Sequence, residues 1–131
     1  MTHYVLDTNI VSYCLKGLFE LERKIESVLN NGDKIILSPV TFYEILRGLY
    51  AVKANRRLAL FTALSQHFEE KDIVKDDWIK AAKLYAENLA HPMSESDLLQ
   101  AAFCIRNKYT LVTHNTKHFQ HLSNLLLDDW V

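Results

Sequence analysis

Glycine and proline are scarce in this chain, with three Gly and two Pro among 131 residues. That leaves little room for linkers, tight-turn sandwiches or low-complexity tails, and no internal repeat is visible. Cysteine is equally sparse. Cys14 and Cys104 stand alone in apolar, helix-like segments, far from any Cys/His ligand spacing, so neither a zinc module nor a disulfide scaffold is expected. No apolar run approaches the roughly 18 residues of a membrane span. The opening MTHYVLDTN lacks a basic region followed by a long apolar one, so no signal peptide is expected and a reduced, cytoplasmic setting is. A surplus of one charge is also missing. Fifteen Lys and Arg meet sixteen Asp and Glu, a formal net charge of −1. Bulk charge therefore does not mark a nucleic-acid binder, and any such partner must be met through a local basic patch or a metal.

What remains is a globular balance, 49% hydrophobic and 24% charged, in a length suited to one domain spanning residues 1–131. Four β-like runs stand out: HYVLD, KIILS at 34–38, DIV at 72–74 and YTLVT at 109–113. They are apolar without clean alternation, as strands buried on both faces are. Helix-like stretches separate them. VSYCLKGLFELERKIESVLN runs to the Asn30-Asn31-Gly32 stop signal, Pro39 opens a second, and 54–68, 76–90 and a segment beginning near Ser94 or Ser96 follow. The alternation predicts an α/β fold in three layers, with a mostly parallel central sheet of four to five strands flanked by helices.

In open sheets of this kind ligands bind beyond the carboxyl ends of the strands. Asp7 stands at such an end, in YVLDTN; Glu44 follows the second strand in SPVTFYEILRG; Asp97 opens a helix in SESDLLQAAF; Asn115 follows YTLVT directly. Taken singly, each acid is explained by helix capping or solvation. Three acids and an amide at the same topological location form instead a hard, oxygen-rich set suited to Mg²⁺ or Mn²⁺.

The stretches LDTNIVSYCLKG, LSPVTFYEILRGL, DLLQAAFCIRNKYTLVTHNTKHFQHL and LLLDDW, in this order and spacing, resemble PIN-domain proteins, and among them the VapC-type toxin ribonucleases of bacterial toxin–antitoxin systems. The resemblance implies a PIN-like fold and a metal-dependent endoribonuclease. Asp7, Glu44 and Asp97 become its acidic triad and metal ligands, and Asn115 falls where many PIN domains carry a fourth acid. An amide brings no negative charge, so one firmly held cation is implied and a second is left open. Thr8 and Asn9 are expected to orient Asp7 by hydrogen bonds, and Thr113 to act in the same way near Asp97 or the scissile phosphate. The resemblance also implies an RNA substrate, a small cognate antitoxin blocking the acidic groove, and a homodimer.

From Ile45 to Phe68 no acid occurs, while Arg47, Lys53, Arg56 and Arg57 do. This local surplus beside Glu44 is the candidate RNA-binding rim, with a solvated helix face as the plain alternative. His114, His118 and His121 form a compact group without a completing Cys or carboxylate, which points to surface or packing roles rather than zinc. An aspartyl phosphotransferase would need a second Asp at position 9, where Asn stands. The competing reading of the whole is a catalytically weak module that binds RNA or a partner.

Overall fold

The computed structural model describes residues 1–131. Strand β1 (His3–Leu6) leads into α1 (Thr8–Leu15) and α2 (Leu21–Asn30); β2 (Lys34–Leu37) leads into α3 (Pro39–Ala51) and α4 (Asn55–Ser65). The chain continues through β3 (Glu69–Glu70), α5 (Lys75–Glu87), α6 (Glu95–Asn107), β4 (Thr110–Val112), α7 (Thr116–Phe119) and β5 (Leu126–Asp128). The strands form one sheet in the order β3-β2-β1-β4-β5, and every pairing is parallel. No helix is long and apolar enough to cross a membrane.

The three-layer arrangement follows from strand alternation, since successive side chains leave a strand on opposite faces. Leu6, Ile35, Leu37 and Val112 join one core with Ile10, Val11, Leu21, Ile25, Ile45 and Phe61 from α1 to α4. Val5, Ile36 and Leu111 point the other way, into a second core with Leu84 of α5 and Leu98, Ala101, Ala102 and Phe103 of α6. Because both faces are covered, the strands read as unbroken apolar runs.

Three expectations need correction. The stretch from Val11 to Asn30 is two helices, not one. Gly17, at φ 71°, takes the left-handed conformation that glycine adopts without a Cβ penalty. Its N–H donates to Cys14 O at 3.0 Å and that of Leu18 to Tyr13 O at 3.0 Å, a paired closure that ends α1. Phe19 and Glu20 are also left-handed, at φ 59° and 53°, and turn the chain into α2. Second, the third strand is not 72–74 but Glu69–Glu70, paired with Ile36 and Leu37 of β2. This short edge strand is exposed and acidic, the usual protection of a sheet edge, and hydrophobicity does not reveal it. The Asp72–Val74 run instead enters α5, with Val74 N–H donating to Asp77 Oδ2 at 2.9 Å. Third, the coarse pattern of four runs omits β5 and the one-turn α7.

Strand order reverses at β1: the chain moves outward through β2 and β3, then returns to β4 on the opposite side of β1. The crevice beyond the carboxyl ends of β1 and β4 is thus the switch point where such sheets bind ligands.

Candidate active site

Asp7 stands at the switch point. Its backbone N–H donates to Val112 O at 2.9 Å, tying the end of β1 to β4. As the cap of α1, its Oδ1 accepts from Thr8 N at 2.9 Å, and its Oδ2 accepts from Thr113 Oγ1 at 2.9 Å. Thr113 is almost wholly buried and its hydroxyl also accepts from Asn115 N at 3.1 Å. It therefore fixes the Asp7 carboxylate and the start of α7 together. The Thr8 hydroxyl turns elsewhere, donating to Glu44 Oε1 at 2.7 Å. Glu44 comes from the second turn of α3, and its Oε2 lies 3.8 Å from Arg47 Nη2. Asp97 occupies the first turn of α6, where its N–H donates to the Ser94 cap at 3.2 Å, and its Oδ2 is 3.0 Å from His118 Nε2.

Asp7, Glu44, Asp97 and Asn115 line one cleft of about 280 Å³, together with Thr8, Asn9, Ser94, Ser96, His118 and Phe119. The acids and amide foreseen at separate strand ends thus share one opening. Burial raises the Asp7 pKa above its ordinary 3.8; the charges of Asp97 and Glu44 add to this, while the bonds from Thr113 and Thr8 oppose it. A carboxylate so placed favours any cation that enters.

Beneath the cleft lies a polar chain that sequence reading missed. Thr41 Oγ1 donates to Leu6 O at 2.9 Å and accepts from Gln100 Nε2 at 2.8 Å. Ser38 Oγ donates to Gln100 Oε1 at 2.5 Å and accepts from Thr41 N at 3.1 Å. All three side chains are buried. Leu6 immediately precedes Asp7, Thr41 lies three residues before Glu44, and Gln100 three after Asp97. The network therefore clamps the three elements that deliver the acids.

His118 is the other residue missed as a member of the site. The group of three histidines is dispersed: His114 Nδ1 faces Asp129 at 3.1 Å, His118 meets Asp97, and His121 lies beside His91 with ring centroids 4.8 Å apart. Thr113 lies beside Asp7 rather than Asp97, and Asn9 lines the cleft without bonding to Asp7. The basic span also divides. Arg47 stacks over Tyr43, 5.1 Å from the ring centroid, as well as facing Glu44. Lys53 and Arg56 are exposed away from the cleft. Only Arg57 of the four borders a groove that touches Glu44.

The chemistry of the donors fits a hard divalent cation: carboxylate and amide oxygens only, around a buried carboxylate whose neighbours carry the same charge. As arranged, no three His, Cys, Asp or Glu side chains close tightly enough to hold an ion, and Asp97 and Glu44 are engaged by His118 and by Thr8 and Arg47.

The PIN domain family model matches residues 4–125. The chain belongs to the PIN-domain family. It is similar to Ribonuclease VapC1 of Haemophilus influenzae, 26% identical with 97% of each chain covered, and to Ribonuclease VapC2 of Rickettsia felis, 25% identical over the same shares. The structure of VapBC2 from Rickettsia felis bound to a promoter DNA fragment contains a chain that superposes with a TM-score of 0.89 at 25% identity, covering 99% of this PIN domain and 100% of that chain. A chain of VapBC-1 from nontypeable Haemophilus influenzae gives 0.84 at 23%, with 98% of each covered, and there the likeness is one of fold. The PIN fold accounts for the sheet order, and the cleft at its switch point is where the acids meet.

Proposed function

We propose that this PIN-domain protein is the toxin of a toxin–antitoxin pair, an Mg²⁺- or Mn²⁺-dependent endoribonuclease acting in the cytoplasm. The observation that carries the reading is the meeting of Asp7, Glu44, Asp97 and Asn115, from four separate elements, in one cleft. The ribonuclease names of the relatives and the toxin–antitoxin complexes among the similar structures support it.

Asp7 and Asp97 would hold the cation, with Glu44 completing the carboxylate set and Asn115 offering a neutral oxygen. When bound, the cation supplies Lewis acidity, offsetting phosphate charge and making water a better nucleophile. The chain's own residues do the positioning. Thr113 fixes the rotamer of Asp7, Thr8 that of Glu44, and the Ser38–Thr41–Gln100 chain sets the spacing of the helices beneath. Hydrolysis on the 3′-oxygen side of the phosphate leaves 3′-hydroxyl and 5′-phosphate ends. Without a cation the three carboxylates repel an RNA backbone, so binding and chemistry both depend on the same ion. The antitoxin would block this cleft, offering a cationic side chain to the carboxylates through charge-assisted hydrogen bonds. A homodimer would use the apolar-rich helices after residues 16 and 44; Phe42, Tyr43 and Tyr50 are exposed on α3.

The test is cleavage of RNA by purified protein in Mg²⁺ or Mn²⁺, in excess chelator, and after Asp97→Asn. Cleavage confined to the wild type with metal is expected, together with growth arrest on expression that Asp7→Asn abolishes at matched protein levels. Undiminished cleavage in chelator would overturn the mechanism, and equal arrest by both proteins would overturn the link between nuclease and toxicity.

A further inference from the structure

A second groove, of about 320 Å³, runs between α1 and the α3–α4 pair. It shares Thr8, Asn9 and Glu44 with the acidic cleft, so the two adjoin along these residues. Its far side carries two cations from different elements, Lys16 at the end of α1 and Arg57 in the first turn of α4. Neither takes part in any ion pair of the molecule. Arg47, by contrast, is engaged by Glu44 and the Tyr43 ring. Charge therefore changes sign between the adjoining hollows, from the carboxylates of the cleft to the unpaired cations Lys16 and Arg57 of the groove.

The groove wall contains an unexplained glycine. Gly48 lies within α3 with ordinary helical backbone, and a Cβ built there meets nothing within 4 Å. Neither a left-handed conformation nor close packing requires glycine, which is the poorest helix former after proline. Any larger residue at position 48 would project into the groove. The missing side chain keeps the groove open.

We propose that this groove is a substrate subsite: it takes the nucleotide adjacent to the scissile phosphate of a single RNA strand, with Lys16 and Arg57 contacting the backbone phosphate and Gly48 leaving room for the sugar or base. The inference rests on the ribonuclease reading of the acidic cleft. Charge complementarity selects the occupant, because a polyanion needs carboxylate-held metal at the reacting phosphate and free cations at the next one. The volume sits at the small end of ligand pockets, about 300 Å³ upward, in keeping with one nucleotide rather than a folded partner.

The experiment measures binding of a short, labelled single-stranded RNA of mixed sequence across a salt series, with Asp7, Glu44 and Asp97 intact and Ca²⁺ in place of Mg²⁺, whose looser coordination positions water poorly, so that the probe survives. Each backbone contact removed should lower the slope of log affinity against log salt by about 0.7 for single strands. Lys16→Ala and Arg57→Ala should each show that loss and the double variant about twice it, with the melting temperature of the folded protein retained. A purely structural role for Lys16 at the helix C-terminus would move the melting temperature and leave the slope alone. Gly48→Leu, in the otherwise unaltered enzyme, should raise KM for RNA cleavage while the melting temperature holds or rises, and an unchanged KM would overturn the subsite. If wild type cleaves RNA yet the double variant keeps the full slope, the groove assignment falls and the ribonuclease reading stands. If wild type neither binds nor cleaves RNA, both fall.

Discussion

Gln100 donates a hydrogen bond from Nε2 to Thr41 Oγ1 at 2.8 Å, joining α6 to α3 across the buried floor of the acidic cleft. Thr41 passes the interaction to Leu6 O at the end of β1. Every polar atom in this chain has a partner, which is what allows it inside a core. Its consequence is geometric: the three elements that carry Asp7, Glu44 and Asp97 cannot shift independently.

Thr41→Val keeps the shape of the side chain but deprives Leu6 O and Gln100 Nε2 of a partner. A loss of about 1–3 kcal/mol in stability is expected from the stranded groups. Activity should fall by about 10–100-fold, as when residues that orient metal ligands are removed. The check is cleavage per folded molecule beside a denaturant melt. Full activity in a destabilised variant would mean that the network holds the fold without aligning the acids.

Asp7 carries a pH signature. Its folded pKa is raised above 3.8, chiefly by burial, so its contribution to stability is fully present below the unfolded pKa. That contribution is lost as pH rises through the folded value. At neutral pH in chelator the ionised carboxylate therefore destabilises the protein. Asp7→Asn should melt higher than wild type there, with the gap growing as pH is raised from about 4 toward neutrality. A gap independent of pH over that range would remove the charge from the explanation.

How much of this was legible beforehand depends on what kind of signal each residue gives. Asp7, Glu44, Asp97 and Asn115 could be gathered on paper because each lies where a helix begins after a strand or loop, and parallel α/β topology brings such places to one rim. The clamp beneath them gave no such signal. Ser38 reads as a helix cap, and Thr41 and Gln100 as polar residues on helix faces; only packing makes them interior. His118 was visible as one of three histidines, yet nothing local separates the one facing Asp97 from those facing Asp129 and His91. The exposed pair Glu69–Glu70 is a strand through its partner alone. The basic run from Arg47 to Arg57 was legible as composition, whereas its division among Glu44, solvent and groove depends on where each side chain stands around its helix.

The pairing of Asp77 with Arg106 allows a test of the second core. Asp77 is fully buried, while the Arg106 side chain is 31% exposed, and Asp77 also accepts from Val74 N. Removing the arginine strands a buried charge; removing the acid leaves a guanidinium that can reach water. Arg106→Ala should therefore destabilise by about 3–5 kcal/mol and Asp77→Leu by less. Arg106 lies nine residues from Asp97, at the other end of α6, so folded Arg106→Ala should retain its cleavage rate. Equal losses for the two substitutions would show that the carboxylate finds water or another donor.

Asn115 offers the most direct probe of the cation. It lines the cleft, and its side chain makes no capping bond to α7, so the amide is free to face an ion. Asn115→Asp adds a fourth carboxylate without changing shape. In chelator the new charge adds to the repulsion already acting on Asp7, and the variant should melt below wild type. With Mn²⁺ present the order should reverse, since affinity for hard cations grows with the number of charged oxygens; titration calorimetry should show binding tightened by roughly tenfold. The crossing of the two melting curves as Mn²⁺ is added is the informative result, because a purely structural effect would shift both conditions alike. Affinity unchanged from wild type would place Asn115 outside the ligand set and leave Asp7, Glu44 and Asp97 as its charged members.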